Sequence, residues 1–168
     1  DTHDFKGITG IINFDKNGDP INKRVVVLKF ENGKWAYIDS FPSEEIKIAS
    51  IFAHTGKAAK SNKHSIEGVR IAIDEINSRG GVFGKKFELI ELDNKSTPIG
   101  SKNAAQKAVE QHITAIIGCQ WSSHSIAAGG VAQSAKIPMI SNISTNEKVS
   151  RIGDYIFRVC FTDEFQGE

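Results

Sequence analysis

From Ile46 onward the apolar residues follow two alternating rhythms. Short apolar runs read as strands: "IKIASIFA" (46–53), "FELIELD" (87–93), "ITAIIG" (113–118), "IPMIS" (137–141) and "YIFRVC" (155–160). Between the first two, Ile66, Val69, Ile73 and Ile76 recur at i, i+3, i+7 and i+10, which predicts one buried face of a helix over 64–79. Two further helices are expected at "IGSKNAAQKAVEQH" (99–112) and "SSHSIAAGGVAQSA" (122–135), and a short one at "EKVS". "HTGKAAKSNK" (54–63) reads as a loop, and "RGGVFGKK" ends the first helix with glycines. Strand–helix alternation of this kind implies a parallel sheet covered by helices on both faces, so the fold class is α/β.

The first forty residues have no helical periodicity. Apolar and polar residues alternate there between turn signals, which predicts strands at 8–14, 24–31 and 34–38 with "DKNGDP" and "ENGK" as turns. "DSFPSEE" (39–45) is polar and acidic, carries Pro42 and has no apolar pattern, so it reads as a linker. The expected organisation is a β-hairpin segment (1–38), a linker (39–45) and an α/β lobe (46–168).

Composition narrows the function classes. Lys and Arg number 21 and Asp and Glu 20, interspersed along the chain, so no polyanion-binding patch forms and nucleic acid is disfavoured. The apolar runs are too short to span a bilayer. Cys119 and Cys160 could pair, but their spacing suggests neither a zinc site nor a redox pair, and they read as buried free thiols. The chain opens on Asp1 without Met or a signal peptide and so reads as an excised or processed piece.

"GCQWSSHS" (118–125) is the stretch richest in chemistry. A nucleophile elbow would need G-x-S-x-G, which is absent. Ser123 and His124 are neighbours at a helix start, so their side chains diverge by about 100°, and no acidic residue lies near in sequence to orient His124. His124 is expected to be exposed or to line the rim, without a role. A metal site from His112, Cys119 and His124 matches no common spacing. "HTGKAAKS" fails as a phosphate loop: Ile51 stands where the first glycine belongs, and Ala58 follows the lysine. "DKNGDPINKRVV" lacks the glycine and the final glutamate of a calcium loop. No cofactor or metal is implied.

Binding fits better. A strand ending at Gly118 and a helix starting near Ser122 put free backbone N–H groups at the carboxyl edge of a parallel sheet, with the Ser122 and Ser123 hydroxyls beside them. One serine could equally be a plain helix cap. "SNISTN" follows the fourth strand and should lie alongside, bringing Ser144, Thr145 and Asn146 to the same edge.

The ordered motifs "IKIASIFAHTGKAA", "GVRIAIDEINSRGGVFGKKFELIELDNKSTP", "AIIGCQWSSHSIAAGGVAQSAKIPMISNISTNEKVS" and "YIFRVCFTDEFQGE" resemble the opening of type I periplasmic binding proteins, the branched-chain amino-acid receptor group. Residues 1–38 resemble the C-terminal end of such a receptor, which suits either a slice across two tandem domains or a circular permutation. The resemblance implies a three-layer, doubly wound lobe, no enzymatic activity and a periplasmic or extracellular location. It also implies a small amino-acid-like ligand, a second lobe to complete the site, and a membrane permease or receptor partner. Carried onto this chain, it places the ligand carboxylate on Ser122, with Ser123 beside it and Thr145 contributing its hydroxyl. Ile143 would contribute its backbone, Trp121 would line the side-chain pocket, and Ser61 would approach from the first loop. Lys57 stands where the family often has proline, Asn142 likewise, and Ser61 where an aromatic is frequent. Serine cannot stack on an aliphatic side chain, which argues against an ordinary Leu/Ile/Val pocket. An extracellular sensor, a flavodoxin-like or hydrolase-type enzyme, and a self-associating structural module are the competing readings.

Overall fold

The computed structural model describes residues 5–7, 10–14, 20–21, 25–41, 45–82 and 85–167. They fall into two units, residues 1–44 and 45–168.

In the first unit, β1 (Phe5–Gly7) pairs antiparallel with β2 (Gly10–Phe14), and β2 with β3 (Pro20–Ile21). β4 (Val25–Glu31) and β5 (Lys34–Phe41) form an antiparallel hairpin. Its turn places Asn32 at φ 52° and Gly33 at φ 75°. Two successive positive φ values are what a two-residue hairpin turn demands, and Asn-Gly accepts them at least cost. Phe30 and Trp35 face each other across the hairpin with ring centroids 4.9 Å apart, both exposed. β5 runs on to Phe41, into the segment expected to be a linker, because β4 reaches back to Val25, which pairs with Phe41 across a one-residue register shift at Val27/Leu28. β1 and β3 were not expected, and residues 15–19 of the expected "DKNGDP" turn lie outside the described residues.

The second unit contains β6 (Glu45–Phe52), α1 (Ala59–Ser78), β7 (Lys86–Asp93), α2 (Pro98–Glu110), β8 (Ala115–Gly118), α3 (Ser122–Ala135), β9 (Met139–Ser141), a 3-10 turn (Glu147–Val149), β10 (Ile156–Arg158) and α4 (Asp163–Gly167). The five strands are parallel in the order β10-β9-β8-β6-β7. Side chains alternate between the two faces of β6. Ile48 and Phe52 meet Ile66, Val69 and Ile73 of α1, whereas Ala49 and Ile51 meet α2 and α3. The architecture is therefore the three-layer α/β lobe that the periodicity implies.

Two features of the helices matter for the edge loops. α2 begins with Thr97 accepting from Gly100 N (2.9 Å) and Pro98 at the first position, a favourable helix start. It then packs Ala104, Ala105 and Ala108 into the same core as Ala128 and Ala132 of α3, all buried, so the two helices meet through small residues.

α1 starts at Ala59, five residues before the predicted helix. No apolar residue occupies 60–65, and this first part of the helix is held by polar bonds instead. The buried Asn62 accepts from Ala53 N (3.0 Å) and donates to Ala58 O (2.9 Å). Ser61 consequently sits in the first turn of α1 and not in a loop.

Candidate functional site

The chain runs from β6 outward to β7 and then crosses back to β8 on the other side of β6. The sheet therefore changes direction between β6 and β8, and loops leaving the carboxyl ends there diverge to open a crevice. The β6 loop (53–58) lies on one side of it. The β8 loop (119–121) and the β9 loop (142–146) lie on the other.

β8 ends on Gly118 at φ +128°, where a Cβ atom would stand 2.3 Å from Ile51 O of the neighbouring strand. Only glycine fits this approach. The chain then presents the carbonyl of Cys119 to a cluster of buried hydroxyls. Ser125 Oγ donates to it at 2.9 Å and Ser141 Oγ at 2.8 Å, while Ser144 Oγ lies 3.2 Å from it and 3.1 Å from Gln120 O. Ser125 Oγ also accepts from Cys119 N at 3.2 Å and lies 2.7 Å from Ser144 Oγ. Four buried polar groups thus satisfy one another and tie the β8 loop, the β9 loop and the first turns of α3 together. A second chain of bonds runs from Asn142 Nδ2 to Ser65 Oγ on α1 (2.8 Å) and from Ser65 Oγ to Gln120 Oε1 (3.2 Å).

On this frame the structure brings most of the expected residues together. Ser122 is the first residue of α3, half-buried, and its hydroxyl oxygen accepts from Asn146 N at 3.2 Å. A hydroxyl has one proton and two lone pairs, so Ser122 still has its proton to donate. Ser123 follows, exposed. Both backbone N–H groups precede the first intrahelical donor, His124 N, which reaches Trp121 O at 2.9 Å. Thr145 is half-buried in the β9 loop and Ile143 is exposed there. Arg158 holds that loop, donating to Thr145 O (3.3 Å), Asn146 O (3.0 Å) and Ser150 Oγ (2.8 Å). Trp121 caps α3 without a side-chain cap bond. Ser61, on the α1 side, already donates its hydroxyl proton to Ala58 O at 2.9 Å.

His124 departs from expectation: it is 3% exposed. Its Nδ1 lies 3.3 Å from Asn94 Nδ2, and Asn94 Oδ1 accepts from Ser96 N at 3.0 Å. That second bond fixes the amide so that Nδ2 donates to Nδ1, which puts the ring proton on Nε2. Burial, with a smaller contribution from the Lys57 charge, holds the His124 pKa below its ordinary 6.5. The ring packs against Trp121, with centroids 5.2 Å apart. It faces Asn94 and Trp121 rather than Ser123, so the geometry of a serine nucleophile and its base is not assembled.

Cys119 and Cys160 are both free, Cys119 buried and Cys160 only half-buried, with its Sγ 3.3 Å from Ser144 O. Burial pushes the Cys119 thiol up to about 12, against hydrogen bonds from Ser101 and Asn94, so it is inert. Among the described residues no three His, Cys, Asp or Glu side chains gather as metal ligands, and no helix is long and apolar enough to cross a membrane.

Sequence reasoning missed the frame of the site: Ser65, Asn94, Gln120, Ser125 and Ser141. The one available signal was the density of serines at 122–125 and 141–144, read for ligand contacts but not for contacts with each other.

A profile of the family described as periplasmic binding protein matches residues 45–167. The chain belongs to that family, which is one of binding proteins and not of enzymes. It is 32% identical over 126 residues to the leucine-specific-binding protein of Salmonella typhimurium, covering 74% of this chain and 34% of that protein. Among solved structures it is similar to the branched-chain amino-acid transporter substrate-binding protein LivJ of Streptococcus pneumoniae in complex with isoleucine, at 32% identity and a TM-score of 0.69, covering 71% of this chain and 34% of the other. The leucine-binding protein LivK of Thermotoga maritima is similar at 37% identity and a TM-score of 0.66, covering 73% and 34%. The chain thus spans about a third of the length of the relatives it matches.

Proposed function

We propose that residues 45–167 form one lobe of a solute receptor for an amino acid or similar small carboxylate, acting in the periplasm or outside the cell and serving ABC-type uptake. The observation that carries this reading is Ser122. It sits at the positive end of α3 with free N–H groups beside it, its hydroxyl oxygen is held by Asn146 N, and its proton remains to donate. In this reading Ser122 and Ser123 take the ligand carboxylate, Thr145 adds its hydroxyl, and the Ile143 backbone meets the α-amino group. Trp121 is the wall for the side chain, and Ser61 faces the ligand across the crevice. A second lobe would supply the opposite wall. The names of the relatives, which bind leucine or were solved with isoleucine, support an amino-acid ligand.

Titration of the 168-residue chain with single amino acids, followed by amide chemical shifts, tests the reading. Ser122→Ala removes one hydrogen bond to a charged group, about 1.5–3 kcal/mol, and should weaken binding roughly tenfold or more. Binding that is indifferent to Ser122→Ala would sink it.

A further inference from the structure

Lys57 lies in the β6 loop and Trp121 in the β8 loop, so the two residues face each other across the crevice at which the sheet changes direction. Lys57 Nζ stands 5.6 Å from the centroid of the Trp121 ring. The ring is backed on the protein side by His124, which is buried, held through Asn94 and kept from charging by its surroundings. The cation therefore has a rigid aromatic neighbour and no competing cation behind it.

Its own loop is braced as well. Ser96 Oγ accepts from Ala58 N (2.9 Å) and donates to Thr55 O (2.7 Å), fixing the backbone on both sides of Lys57. Asp93, the carboxylate of this loop pair, is fully engaged elsewhere. It accepts from the Thr55 hydroxyl (2.6 Å) and from the backbone N–H groups of Lys95 (2.8 Å), His54 (2.9 Å) and Thr55 (3.3 Å). Among the described residues no ion pair involves Lys57.

We propose that Lys57 and Trp121 form the subsite for the far end of the ligand, and that the ligand carries a second carboxylate there, as an acidic amino acid does. The inference rests on the reading of Ser122 as the seat of the first carboxylate, which is one residue along the chain from Trp121. The methylene groups of such a ligand would lie on the indole while its distal carboxylate pairs with the ammonium. An aliphatic ligand in the same place would take water from Lys57 and give it no counterion, and a site holding a desolvated, unpaired group rejects the ligand that fails to pair it.

The test is amide chemical-shift titration of the 168-residue chain with L-glutamate, L-glutamine and L-leucine at millimolar concentration. The chains compared are unaltered, Lys57→Met, Lys57→Arg and Ser122→Ala. Glutamate and glutamine have the same shape, so their ratio isolates the charge. We expect glutamate to bind about tenfold or more tighter than glutamine, one ion-paired contact's worth. Lys57→Met should erase that ratio, with glutamate binding lost the most, and Lys57→Arg should keep it. Equal binding of glutamate and glutamine, or a Lys57→Met loss shared by all three ligands, overturns the acidic-ligand inference. If Ser122→Ala still weakens binding in that case, the receptor reading stands alone. Binding insensitive to Ser122→Ala, or no binding of any of the three, overturns both.

Discussion

The two banks of the crevice are held by opposite chemistry. On the β8/β9 bank, buried neutral hydroxyls from Ser125, Ser141 and Ser144 converge on one carbonyl, that of Cys119. On the β6/β7 bank, a half-buried carboxylate, Asp93, gathers three backbone N–H groups and one hydroxyl. The first arrangement contains no ionisable partner, so none of its own bonds depends on a titrating group. The second is charge-assisted and answers to pH and salt. The cluster around the Cys119 carbonyl is thus held by neutral groups, and the β6 loop by a carboxylate.

The largest effect should come from breaking the neutral bank at its root. Gly118→Ala forces a Cβ into Ile51 O from a positive φ, and should lower unfolding free energy by about 3 kcal/mol or more in a urea titration. A loss under about 1 kcal/mol would show that β8 can move away from β6 freely. Next comes Ser125→Ala, which strips Cys119 N of its acceptor. One orphaned buried donor costs about 1–3 kcal/mol, again read by urea, and the loosened β8 loop should show faster amide exchange than the β6 loop.

The smallest effects are in pH, and they separate by window. The folded-state pKa of His124 is below its ordinary 6.5, so the unfolded chain takes up the proton first. Stability is then present above pH 6.5 and falls as pH drops below it. His124→Gln should flatten the stability–pH curve in that range. Burial raises the Asp93 carboxyl, but the bonds from Thr55, Lys95 and His54 outweigh it and leave the pKa below its ordinary 3.8. Its contribution is present above that value and is lost as pH falls through the folded pKa, so Asp93→Asn should flatten the curve only at the acid end. Thermal unfolding across pH 3 to 8 checks both, and a shared window would contradict the assignment of the two effects to separate groups.

Much of this molecule could be read from the chain. α3 was placed correctly because its ends are marked by changes of composition, Trp121 before it and the apolar strand residues after Lys136. The sheet could be read because its inner strands β6, β8 and β9 are mostly apolar on both faces. The start of α1 could not, since Asn62 does there, through two hydrogen bonds, what apolar residues do elsewhere. His124 could not either: a histidine in the first turn of a helix reads as exposed unless Asn94, thirty residues away, is known to cover it. The candidate residues themselves came from the order of motifs, whereas the hydroxyl frame that positions them depends on which strands become neighbours.

The alanine seam between α2 and α3 has a consequence for rates. Ala104, Ala105 and Ala108 against Ala128 and Ala132 leave α3 little room to slide, and the hydroxyl cluster pins its other end. On the proposed reading, a ligand arriving at the lobe would meet Ser122 already in position and would order no loop on that bank. Association there should run close to the encounter rate, and differences in affinity between ligands should appear in how long each one stays.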